Sequence, residues 1–177
     1  MILRLLLSLA LLTYSSVLSA ATVGETLPHS LKSVDQTGQT QSFETLKGEK
    51  GLILVFVRST QWCPYCKNQL KALNASKQAI THKGYNLVAI SYDPVAGQKA
   101  FSDKNSISYP LLSDEGSQII KAFGILNESI EQGTRAYGIP HPTLYQIDHN
   151  GVIRGVLAEE GYKNRPSIEA ILGMLEE

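Results

Sequence analysis

The chain has 177 residues, about the size of one domain, and its sixteen basic and sixteen acidic side chains cancel. With no basic excess to meet a phosphate backbone, nucleic-acid binding is excluded. Its two cysteines share one short motif. A bridge closing so small a loop removes little chain entropy, so reactivity explains the pair better than stability does.

The first segment carries one positive charge within Met1–Arg4, then an almost unbroken apolar run from Leu5 to Leu12, then small residues ending in Ser19-Ala20-Ala21. This is the layout of a secretory leader. Residues 1–21 are therefore expected to be removed, by a cut after Ala20 or after Ala21, leaving residues 22–177 as one domain. The apolar run falls short of the roughly 20 residues needed to span a bilayer. Export to a periplasm with no stable membrane insertion is the expectation.

In the remainder, Ser30–Asp35 and Thr40–Phe43 flank a Gly-containing turn and predict an N-terminal β-hairpin. Gly51–Val57 is a β-branched apolar run and predicts a strand buried on both faces. The cysteine motif follows, then a helix from Pro64 to about Ile80, with Pro64 in the first turn, where its missing N–H is not needed. Leu87–Ser91 predicts a second buried strand and Asp93-Pro94 opens a helix to about Lys104. Tyr109–Leu112 is a short extended piece, Ser117–Phe123 a short helix, and residues 127–138 a loop. Thr143–Ile147 and Val152–Leu157 pair around His149-Asn150-Gly151, and Pro166 starts a last helix to about Leu175. Strands alternating with helices predict an α/β domain: a thioredoxin-like fold with a central mixed β-sheet flanked by helices.

The chemistry is expected in Arg58-Ser59-Thr60-Gln61-Trp62-Cys63-Pro64-Tyr65-Cys66-Lys67. A cysteine opening a helix meets unpaired backbone N–H groups and the positive end of the dipole, which favours thiolate. Cys63 is thus the expected nucleophile. Cys66, one turn on, is the expected resolving thiol, closing a Cys63–Cys66 disulfide. Arg58 and Lys67 add positive charge nearby in sequence. Half a zinc site is the competing reading, but no second cysteine pair exists and His29, His82, His141 and His149 lack ligand spacing. Neither a metal nor a cofactor is expected. Ile139-Pro140-His141-Pro142, just before a strand, invites a cis peptide, with His141 a candidate proton carrier or an ordinary loop residue.

Trp62-Cys63-Pro64-Tyr65-Cys66 resembles the active-site segment of thioredoxin-fold oxidoreductases. Ser91-Tyr92-Asp93-Pro94, Tyr109-Pro110-Leu111-Leu112-Ser113-Asp114, Lys121-Ala122-Phe123-Gly124-Ile125 and Pro142-Thr143-Leu144-Tyr145-Gln146-Ile147-Asp148 resemble the alkyl hydroperoxide reductase/thiol-specific antioxidant (AhpC/TSA) family. The resemblance covers about residues 23–175. It implies that Cys63 is the attacking cysteine, that Thr60 matches the hydroxyl residue three before the peroxidatic cysteine, and that Pro142 matches the cis-proline facing the pair in thioredoxins. Two positions depart from the peroxiredoxin pattern. Phe56 stands where a proline is usual, and Pro142 where an arginine supports thiolate and peroxide. Arg58 and Arg135 are the candidates to replace that arginine.

The first expectation is thiol–disulfide exchange with a protein partner by a monomer or weak dimer. The alternatives are a peroxiredoxin-like peroxidase reducing hydrogen peroxide or alkyl hydroperoxides, and a non-catalytic thioredoxin-fold binding module.

Overall fold

The computed structural model describes residues 19–159, 161 and 163–176. Most of the expected leader, residues 1–18, lies outside them. The elements are β1 (Ser33–Asp35), β2 (Thr40–Gln41), α1 (Phe43–Leu46), β3 (Gly51–Phe56), α2 (Pro64–His82), β4 (Tyr85–Ser91), α3 (Val95–Asn105), β5 (Leu111–Ser113), α4 (Gln118–Ala122), β6 (Thr143–Asp148), β7 (Ile153–Leu157) and α5 (Ile168–Met174).

The strands form one mixed seven-stranded sheet in the order β2-β1-β5-β4-β3-β6-β7. β3 and β5 run parallel to β4, while β6 runs antiparallel to β3 and β7 antiparallel to β6. The expected N-terminal hairpin joins the sheet through β1 against β5. Its second strand is shorter than the alternation suggested. Ser42 leaves the strand to cap α1, exchanging hydrogen bonds with Thr45, and so turns Phe43 and Leu46 into the core.

β3 is buried throughout because both of its faces are covered. Successive side chains of a strand point to opposite faces. Ile53, Val55 and Val57 join Leu70, Leu73 and Ile80 of α2 and Ile171 beside them. Leu52, Leu54 and Phe56 join Phe43, Ile120, Phe123 and Tyr145 on the other side. Phe56 therefore has a packing role: its ring lies 4.8 Å from Phe123 and 5.9 Å edge-on to Tyr145, centroid to centroid, within the range that adds attraction beyond area burial. Ala21 is buried in the same cluster, and its N–H donates to the Phe123 carbonyl at 3.0 Å. Among the described residues no helix is long and apolar enough to cross a membrane.

Candidate active site

The segment leaving β3 has to turn from the sheet into the mouth of α2, and a buried carboxylate holds it there. Asp93, 2% exposed, follows β4. It accepts from the hydroxyls of Ser59 (2.8 Å), Thr60 (3.0 Å) and Ser91 (2.8 Å) and from the Thr60 backbone N–H. Ser59 Oγ in turn accepts from the N–H groups of Gln61 and Trp62. The Gln61 side chain lies against Gly97 of α3, in the space a Cβ would occupy. A buried carboxylate needs such donors to be tolerated, and here they are supplied by the loop it positions.

Cys63 is the N-cap of α2, with extended backbone, and Pro64 occupies the first turn. Its Sγ accepts the Cys66 N–H at 3.2 Å, the capping interaction that oxygen side chains usually make. The two cysteines are joined as a disulfide, with Cα atoms 5.3 Å apart, and both are fully buried. Arg58 Nη2 donates to Cys63 Sγ at 3.4 Å. The same guanidinium lies 5.6 Å from the centroid of the Trp62 ring, within cation–π range. Trp62 is held in turn: its Nε1 donates to the Tyr92 hydroxyl at 2.9 Å, and that hydroxyl donates to the Arg135 carbonyl at 2.7 Å. Burial pushes the Tyr92 phenol up, which keeps its donating proton in place.

A second guanidinium reaches the pair from the far end of the chain. Arg165 Nη2 lies 3.3 Å from Cys66 Sγ and 4.0 Å from Cys63 Sγ. Pro166, buried, fixes the backbone after it, and Ser167 caps α5 through the Ala170 N–H. α5 packs on α2 through Ile171, and Leu175 at its C-cap joins it in a cluster with Leu70 and Leu73. Burial, reinforced by the neighbouring Arg58, pushes the Arg165 guanidinium down to about 10, still far above neutrality, so both arginines are charged there.

The structure brings Cys63, Cys66 and Arg58 together and adds Arg165, which sequence spacing could not reveal at 99 residues from Cys66. The other candidates are placed differently. Thr60 is buried and gives its hydroxyl to Asp93, so in this disulfide state it secures the loop. Lys67 Nζ donates to the Gln61 carbonyl at 2.6 Å. Arg135 enters through its backbone carbonyl and is exposed.

Pro142 is preceded by a trans bond, as are all described residues, which corrects the cis-proline expectation. Here Asn127 N–H donates to the Ile139 carbonyl and His141 N–H to the Ile125 carbonyl. These bonds, with the bridge between Leu126 and Pro140, carry the chain in extended form into β6, and no reversal demands a cis bond. His141 is exposed on the rim of an open groove of about 800 Å³ lined also by Arg58, Ile130, Ile139 and Pro142.

Residues 23–156 match the model of the AhpC/TSA family. The chain belongs to that family. Among its relatives, the chloroplastic peroxiredoxin Q of Sedum lineare is 31% identical over 141 residues, covering 79% of this chain and 70% of that protein. Peroxiredoxin Bcp of Escherichia coli is 27% identical over 143 residues, covering 81% and 88%. The chain spans 63% of the Suaeda salsa peroxiredoxin Q and 52% of the wheat one (Triticum aestivum). The crystal structure of peroxidoxin BcpB from Mycobacterium tuberculosis superposes with a TM-score of 0.73 at 24% identity, covering 87% of this chain and 96% of that one. Peroxiredoxin 6 of Arenicola marina gives 0.78 at 16% identity, covering 89% and 73%. These likenesses establish the thioredoxin-like fold of the AhpC/TSA branch. Arg165 lies beyond the family-matched segment.

Proposed function

We propose that this AhpC/TSA protein is a thiol-dependent peroxidase, and that Cys63 is its attacking cysteine and Cys66 its resolving one. One observation carries the reading. The sulfur of Cys63 accepts a helix-opening N–H and the Arg58 guanidinium, and it lies in bonding reach of Cys66. Family membership and relatives named peroxiredoxin support the peroxidase over the disulfide exchange that the sequence alone put first.

In the reduced protein, Cys63 thiolate attacks one oxygen of ROOH. The O–O bond breaks, ROH leaves after taking a proton, and Cys63 becomes the sulfenic acid. Charge builds on the leaving oxygen, and donors already in place are the main source of rate. Arg58 is the donor beside Cys63, doing the work that an arginine at position 142 does in the usual pattern. Cys66 thiolate then attacks the Cys63 sulfur, and hydroxide leaves and takes a proton to become water, giving the Cys63–Cys66 disulfide. A dithiol partner returns the pair to its reduced form, so disulfide exchange is the second half of the cycle.

Stopped-flow mixing of the reduced protein with hydrogen peroxide and with an alkyl hydroperoxide tests this. A rate well above that of free cysteine, lost in Cys63→Ser, is the expected result. A rate near that of free cysteine returns the function to disulfide exchange alone. Persistence of both activities at wild-type rate in Cys63→Ser would show that this motif does not carry the catalysis.

Export is proposed on the leader pattern of residues 1–21. A cut after Ala20 keeps Ala21 in its buried seat against Phe123, and we expect that cut over one after Ala21. N-terminal sequencing of protein from a periplasmic fraction checks both points.

A further inference from the structure

The two arginines do not face the two sulfurs equally. Arg58 donates to Cys63, while Arg165 is closer to Cys66, at 3.3 Å against 4.0 Å. They also come from different parts of the fold. Arg58 ends the strand side of the active loop, inside the family-matched segment, whereas Arg165 precedes α5, outside it. We infer that Arg165 is a catalytic residue of the reductive half of the cycle, stabilising the Cys66 thiolate that departs when the disulfide is opened. The inference rests on the disulfide-forming pair of the proposed peroxidase and adds a role that the attacking sulfur's own donors cannot fill.

A thiolate of a dithiol reductant attacks Cys63 Sγ, the sulfur that Arg58 faces. A bond forms between the reductant sulfur and Cys63, the Cys63–Cys66 bond breaks, and its electron pair stays on Cys66 Sγ. The reductant's second thiol, on losing its proton, attacks its partner sulfur in the mixed disulfide and frees Cys63 as thiolate. The dithiol ends as a disulfide and the cysteine pair gains two electrons. Thiol–disulfide exchange is faster when the departing thiol is more acidic. Cys66 is fully buried inside the helix's first turn, where burial alone disfavours a charged sulfur. A guanidinium at hydrogen-bond distance offsets that cost.

The same contact sets the potential of the pair. Stabilising a thiolate stabilises the reduced form, so Arg165 makes the disulfide easier to reduce. Lys cannot reproduce the planar fork but keeps the charge, which separates charge from shape.

The test uses the oxidised protein and dithiothreitol, with reduction followed in stopped flow and the potential measured against a glutathione buffer. In Arg165→Gln, reduction slows about fivefold or more, and the equilibrium moves about tenfold toward disulfide, about 30 mV more negative. Arg165→Lys recovers most of both. The peroxide step of the pre-reduced Gln variant slows by a smaller factor than reduction does, and Arg58→Gln shows the reverse order. An unchanged reduction rate and potential in Arg165→Gln overturns the inference. So does a peroxide step that falls as far as reduction does, which would place Arg165 on Cys63. Reduction by dithiothreitol involves no peroxide, so a wild-type protein without peroxidase activity would sink the proposed function and leave this test readable.

Discussion

The two sides of the disulfide are built in different ways. On the Cys63 side, a closed set of hydrogen bonds from Asp93 through Ser59 and Thr60, and from Trp62 to Tyr92, fixes the loop that carries Arg58. On the Cys66 side, Arg165 is set by its position next to a buried proline and a capped helix packed on α2. The first side is over-determined by neighbours within the family core. The second depends on one segment arriving from the end of the chain. The difference implies that the attacking cysteine is buffered against change, whereas the recycling of its partner is the tunable part.

Breaking the first side has the largest effect. Cys63→Ser removes the attacking sulfur, and peroxide consumption falls to background, read by stopped flow. Asp93→Ala leaves the Ser59, Thr60 and Ser91 hydroxyls and a backbone N–H without their buried acceptor. Hydrogen bonds to a charged group contribute about 1.5–3 kcal/mol each, and losing several costs about 3 kcal/mol or more of stability, measured by urea denaturation. Full retention of the wild-type midpoint would show that the loop is held some other way.

Arg58→Met sharpens the comparison without dismantling the loop. Unit charges about 3.4 Å apart interact by several kcal/mol at an effective dielectric near 20, and retaining about 1.4 kcal/mol of that is a tenfold effect. We expect the Cys63 thiol to become about tenfold less acidic and peroxide reduction to slow by a similar factor at neutral pH, both read on the reduced protein.

These effects also explain what could be read in advance. β3, α2 and β4 were legible to within about two residues because their apolar patterns report burial on two faces or one. The cysteine pair was legible because its chemistry lies within four consecutive residues. Asp93 was read as the opening of a helix: its partners at positions 59, 60 and 91 are scattered, and a short polar residue before a proline looks like any turn. Arg165 carried no signal, since contact with position 66 depends on how α5 packs. Pro142 differs because proline content reveals only that a cis bond is affordable, and the described backbone is trans there.

A smaller effect separates the Tyr92 link from the rest. Tyr92→Phe removes the acceptor of Trp62 and the donor to the Arg135 carbonyl. About 1 kcal/mol of stability per hydrogen bond is expected to go, together with faster hydrogen exchange in residues 127–138 and a modest loss in peroxide rate.

The smallest effect lies away from both sides and serves as their control. Asp35 and Asp148 are both held below the usual carboxylate range. Burial opposes this at each site, but the hydrogen bonds from Thr37, Gln41 and Gln39 outweigh it at Asp35, and those from Val152, Arg154 and Asn150 at Asp148. A lowered folded-state value contributes stability that is present above the unfolded value, about 3.9, and is lost as pH falls through the folded one. Acid should therefore weaken these turns below about pH 4. Asp148→Asn flattens that part of a stability-versus-pH curve and leaves the disulfide chemistry at neutral pH as it was.

The acidity of the reduced Cys63 thiol, followed by thiolate absorbance in a Cys66→Ser background, reaches the heart of this account. An ordinary thiol titrates near about 8.5. The capping amide and Arg58 predict a midpoint below that value, which rises when Arg58 is replaced. A midpoint at or above the ordinary value, indifferent to Arg58, would contradict it.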